Sequence, residues 1–133
     1  SIFYELVKQF DTKNYILEKF LFDNPNEYLS ANKLIKENDL NVWVNCTRRT
    51  WSLYKNIKSE IKNNKFVELS VDGYNWGLAS NAIHFIDLFC WLLNSKRLTL
   101  DTSELKNQKF NSKRSGIIDF YGIIKAKLGK SKL

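Results

Sequence analysis

The stretch from Trp76 to Leu93 constrains this chain more than any other, because its apolar residues recur on almost every side of the helix their spacing predicts. An ordinary surface helix would carry one wet face, so this one is expected to lie buried between layers. Asn75, Ser80, Asn81, His84 and Asp87 fall within or beside it. They would be costly in lipid, which argues against a membrane span.

Around that helix the pattern alternates. Tyr15 to Leu21 reads as a strand, rich in aromatic and β-branched residues before a turn at Asp23-Asn24-Pro25. A helix follows, with Asn24 placed to cap it, Pro25 at its first position and Glu27 where a capping-box carboxylate would reach back. Tyr28, Ala31, Leu34 and Ile35 form its apolar stripe, ending near Asn38. Val42 to Cys46 is a short strand, and Ser52 to Asn63 a second amphipathic helix with Leu53, Tyr54, Ile57 and Ile61 in step. Phe66, Val67, Leu69 and Val71 predict a further strand, closed by Asp72-Gly73. After the long helix, Asn94 suits a left-handed terminator. Leu98 to Leu100 leads into a polar loop, Asp101 to Ser115, and then one long strand from Gly116 to about Leu128. Gly122 falls on the apolar face of that strand, where a bulge or a close approach is expected.

Strands and helices alternate first and strands without helices come last, which predicts an α+β fold: a mixed, largely antiparallel sheet with helices packed on one face. Ile117, Tyr121 and Ile123 would then line the opposite face, too apolar to leave in water, so a homo-oligomer through that sheet face is expected. Cys46 and Cys90 sit in apolar runs with no second Cys or His at metal-ligand spacing, which predicts buried thiols, no metal and a reducing compartment, the cytoplasm. The start shows no signal peptide, and Ser1 in place of Met leads to the expectation of a longer parent protein. A formal charge of +7 can draw any anion. Since the lysines are scattered and no recognition-helix or aromatic RNA-binding pattern accompanies them, no nucleic-acid partner is expected.

His84 is the only histidine, and Ser80 and Asp87 stand four residues before it and three after, making a polar stripe on an apolar helix. Such groups must find partners or face a cavity. In one reading His84 faces a substrate pocket and exchanges a proton while Asp87 orients its ring; in the other the two form a structural pair joining helix to sheet. Lys19 is either an exposed lysine or a charge aimed into a cleft at a strand end, and Arg49, in Thr47-Arg48-Arg49-Thr50, either holds an anionic or hydroxyl-rich ligand or belongs to an ordinary helix-start loop.

The order Ile16-Leu17-Glu18-Lys19, then Val42 to Arg49, then Trp76-Gly77-Leu78 through Asn81 to His84-Phe85-Ile86-Asp87, resembles the Gfo/Idh/MocA oxidoreductase family over nearly the whole chain. Glu18-Lys19 is similar to the family's Glu-Lys-Pro segment, and His84 to Asp87 to its His-x-x-Asp helix. Ser112-Lys113-Arg114-Ser115-Gly116 is similar to a segment of its branch acting on sugar derivatives. The sequence departs from the family at Phe20, in place of Pro, at Ser80, where many members carry Asp, and at Ser52, where Pro is frequent.

The resemblance implies an enzyme that moves a hydride between NAD or NADP and a carbon of a sugar or nucleotide-sugar. Lys19 would polarise or position the reacting hydroxyl, His84 act as acid/base beside Asp87, and Arg49, Asn81 and Trp76 line the substrate side. It also implies that residues 1–22 end a nucleotide-binding domain and residues 23–133 form a substrate-binding and oligomerisation domain. No Gly-x-Gly-x-x-Gly follows any strand, so the chain alone is expected neither to hold the dinucleotide nor to turn over. The competing expectation is a non-catalytic basic binding or self-association module.

Overall fold

A computed structural model describes residues 2–62, 67–73, 76–112, 116, 118–128 and 131–132. The chain divides into two units, Ser1–Cys46 and Thr47–Leu133, and residues 1–22 share the first with residues 23–46.

In the first unit, Tyr15 and Leu17 are buried while Asn14 and Ile16 are exposed, the period-two alternation of a strand with one covered face. This strand, β1 (Asn14–Leu17), pairs in parallel with β2 (Asn41–Val44). Helix α2 (Pro25–Glu37) makes the crossover. It begins as its sequence dictates: Asn24 is extended and its side chain accepts the Asn26 N–H at 2.9 Å, with Pro25 at the first position. The expected strand ends four residues early, at Leu17 rather than Leu21, because the pairing with β2 stops there and Glu18 turns to accept a hydrogen bond from the Asn45 amide. The Lys19–Phe20 peptide bond is cis.

Helix α1 (Ile2–Gln9), which the sequence reading leaves unassigned, brings Phe3 into a core with Tyr15, Leu17 and Ala31. Phe3 meets Tyr15 edge-on with ring centroids 5.9 Å apart, a favoured aromatic geometry. The Tyr4 hydroxyl ties α1 to α2 by donating to the Glu27 carbonyl.

The second unit opens with a turn of 3-10 helix (Thr47–Thr50), then α3 (Ser52–Ile61) and the long α4 (Leu78–Leu92). Leu88, Phe89 and Leu92 are its fully covered residues. Asn94 is left-handed at φ 51°, as expected. With the Ser95 N–H donating to the Cys90 carbonyl at 3.0 Å and the Asn94 N–H to that of Trp91 at 3.3 Å, it closes α4 in a Schellman motif. The Lys58 ammonium reinforces this end, donating to the Trp91 carbonyl and to Asn94 Oδ1 while lying 4.1 Å from the Trp91 ring.

The α+β class holds, with pairings largely antiparallel and α4 packed against a strand. Those pairings fall into three separate small sheets among the described residues. Three local expectations need correction. Around Val67 to Val71 there is an isolated bridge at Glu68 rather than a strand, and Phe66 lies outside the described residues. The polar stretch after Asp101 is not a loop throughout, since it contains β4 (Leu105–Asn111). Only Leu105 and Phe110 of that strand are even half-buried, so backbone pairing rather than an apolar face makes it, and no alternation marks it in the sequence.

The expected long final strand is two, β5 (Ile118–Gly122) and β6 (Lys125–Leu128). β5 pairs with β4, whereas β6 pairs with β3 (Thr99–Asp101) and β7 (Ser131–Lys132). Gly122, at φ 130°, is where the chain leaves one sheet for the other. A Cβ there would stand 2.4 Å from the Glu104 carbonyl oxygen, so the expected close approach is real and only glycine permits it.

Candidate functional site

The start of α4 is built from a distant carboxylate. Gly77, in the N-cap position at φ 76°, has no side chain to satisfy the first helical N–H groups. Asp119 of β5 supplies the missing acceptor, its Oδ1 receiving the Ala79 N–H at 2.7 Å and the Phe120 N–H at 2.8 Å. Asp119 is completely buried, and its Oδ2 makes no hydrogen bond among the described residues. A negative charge at a helix N-terminus is the arrangement the helix dipole favours. Sequence reasoning missed Asp119, although a lone carboxylate between Ile118 and Phe120 in an apolar strand is a signal that it must be partnered.

Two of the expected substrate-side residues meet at this same helix end. The Asn81 amide donates to the carbonyls of Trp76 at 2.5 Å and Gly77 at 3.1 Å, holding the entry turn. Trp76 packs edge-on against Phe85, with centroids 5.6 Å apart.

Further along, Asp87 and Arg49 come together from positions 38 apart. Asp87 accepts from Arg49 Nε at 2.6 Å and also from Nη2, a bidentate pair in which the carboxylate side is only 14% exposed. The carboxylate expected to orient an imidazole is thus engaged by the guanidinium from the turn before α3. Burial pushes the Cys90 thiol above its ordinary range; Asp87 adds to the rise and Arg49 opposes it. Burial, helped by the Arg49 charge, lowers the Lys58 ammonium. His84 is half-buried one turn before Asp87. At 100° per residue, Ser80, His84 and Asp87 share one side of α4, and Leu78, Ala82, Phe85 and Ile86 the other.

A cavity of about 330 Å³ opens on that second, apolar side. Leu78, Ala82, Phe85 and Ile86 form one wall of it, residues 68–73 another, and Trp76 with residues 122–125 the remainder. His84, Asn81, Asp87 and Arg49 are not among its lining residues. Arg48 lies with its guanidinium 4.3 Å over the Phe85 ring and 5.5 Å from that of Trp51. Lys19 belongs to the first unit, half-buried just beyond β1, with its ammonium 5.4 Å from the Phe20 ring.

Among the described residues no group of three or more His, Cys, Asp or Glu side chains could hold a metal ion, and no helix is long and apolar enough to cross a membrane. Set against known families, curated proteins and solved structures, the chain matches no family model, no curated protein and no solved structure.

Proposed function

We propose that this chain is the substrate-side portion of an NAD(P)-dependent oxidoreductase of the Gfo/Idh/MocA type, acting on a sugar or nucleotide-sugar derivative. The observation that carries this reading is the polar side of α4, where half-buried His84 precedes an Asp87 that grips Arg49. Two positions marked by the family resemblance, Arg49 for the substrate side and Asp87 beside the acid/base, lie far apart in the chain and converge on this side of α4.

In this reading the His84 imidazole takes the proton of a substrate hydroxyl, or returns it in the opposite direction, as a general acid/base. Arg49, aimed by Asp87, binds substrate oxygens, and Lys19, in the first unit, keeps the role the resemblance implies for it, polarising or positioning a reacting hydroxyl. Asn81 and Trp76 shape the helix entry that supports them. The five glycines of the chain offer no pyrophosphate cradle, so its own residues do not fit the dinucleotide. A preceding nucleotide-binding domain of the parent protein would hold it, and residues 1–22 would close that domain. Cys46 and Cys90, neither in a disulfide, accord with a cytoplasmic site of action.

The test is NAD(P)-linked turnover by the full-length parent over a panel of sugars and nucleotide-sugars. Loss of turnover in both His84→Ala and Lys19→Ala is expected, and unchanged turnover in both removes these residues from the mechanism.

Self-association has its own supporting observation, since Tyr121 and Ile123 are 41% and 52% exposed, while Ile117, the third residue expected on that face, lies outside the described residues. A homo-oligomer formed through these residues would dissociate on Tyr121→Glu, as read by sedimentation velocity. A wild-type protein monomeric at every concentration counts against it.

A further inference from the structure

We propose that the cavity on the apolar side of α4 binds a small aromatic amine: a compact ring system carrying a positively charged ammonium group. The site is separate from the polar side of α4 and does not depend on the oxidoreductase reading.

Size and wall chemistry point to the ring. At about 330 Å³ the cavity is at the small end of ligand pockets, suited to a fused ring with a short chain. Ala82, flanked on the helix face by Leu78, Phe85 and Ile86, provides the recess because its side chain is the shortest there. Trp76 and Phe85, inclined at 67° to each other, present two aromatic surfaces at different angles, so a flat ring can meet one face-on and the other edge-on.

The rim decides the charge. Among the described residues its ionisable groups are Glu68, Asp72 and Lys125. Lys125 is held by Glu104 in a salt bridge that raises the ammonium's pKa, with Asp101 adding to the rise, so its charge is already met. Among the described residues Asp72 accepts a neutral hydroxyl, that of Ser70 at 3.1 Å, and neither Glu68 nor Asp72 is in an ion pair. A chain of net charge +7 therefore carries a negative mouth at this one apolar recess. Phe85 is already under the Arg48 guanidinium, so a ligand ammonium is drawn to the rim carboxylates rather than to that ring. The same two carboxylates repel phosphates and carboxylates.

Tryptamine, indole and indole-3-acetate share one ring and differ in charge, and their binding to the protein can be measured by calorimetry at low salt. Tryptamine is expected to saturate a single site and to bind roughly tenfold or more tighter than indole-3-acetate, a gap that narrows as salt screens the rim. The Glu68→Gln/Asp72→Asn variant, changed at two exposed positions that do not threaten folding, should bring tryptamine down to the level of indole and leave indole unchanged. Ala82→Trp should abolish binding of all three by filling the recess. No binding of tryptamine, equal binding of the amine and the acid, or an amine preference that survives the double substitution would each overturn the assignment.

Discussion

Arg49 and Asp87, one from a turn of 3-10 helix and the other from the middle of α4, form a two-bond ion pair whose carboxylate is mostly hidden from water. The pair fastens the turn before α3 to α4 and sets the electrostatics of its neighbours. A double-mutant cycle between Arg49→Ala and Asp87→Ala should return a coupling of about 1 kcal/mol, the upper range for partly exposed pairs, because the guanidinium meets the carboxylate through two nitrogens. The coupling should shrink in high salt, and a value of zero at low salt would mean that the pair does not hold the two elements together.

The nearby Cys90 reports on the same pair. Its thiol is raised by burial first and by Asp87 second, and Arg49 pulls against both. Alkylation of Cys90 should therefore have a pH midpoint above that of an exposed thiol. Arg49→Ala should move this midpoint further up and Asp87→Asn should move it down. Because the folded protein holds this proton more tightly than the unfolded chain, the thiol's contribution to stability is complete below the ordinary thiol range and falls away as pH rises through the shifted value. Shifts of the opposite sign in the two variants would contradict the geometry.

Asp119→Ala should destabilise the second unit by about 2 kcal/mol, since the part-buried Ala79 N–H is left without an acceptor. Thermal unfolding followed by circular dichroism gives the measurement. A loss below a few tenths of a kcal/mol would show that water replaces the carboxylate at no cost.

Two glycine substitutions should rank by what the added methyl meets. In Gly122→Ala the methyl runs into backbone, the Glu104 carbonyl oxygen at 2.4 Å and Leu105 Cα at 2.7 Å, in a conformation hostile to side chains. A loss of about 3 kcal/mol or more is expected. In Gly77→Ala the nearest atom is the rotatable Ser80 hydroxyl at 2.7 Å, so the loss should be nearer the 1–2 kcal/mol typical of a left-handed non-glycine residue. Urea titration of the two variants tests the order, and the reverse order would show that the strand junction is freer than its contacts imply.

What was legible in the sequence is what is settled within a few residues. Asn24 with Pro25 marks the start of α2, and Asn94 marks the end of α4, because capping bonds span only one turn of chain. The alternation in β1 shows for the same reason, as each burial choice is local. β4 escaped because its residues are mostly wet on both faces and its register with β5 is irregular between Leu105 and Lys109. At the candidate site the residue types stood out, but their partners did not. Spacing along one helix groups Ser80, His84 and Asp87, yet says nothing of an arginine 38 residues earlier or of which side of the helix borders the cavity.

The carboxylate at the head of α4 has a consequence for how the protein is made. A helix begun by its own neighbours can form as soon as they leave the ribosome, but here the first-turn acceptor is encoded 40 residues after the N–H it receives. The emerging segment must wait, its opening turn incomplete, until the strand that carries Asp119 has been synthesised. A product that ends before Asp119 would carry an α4 without its first anchor.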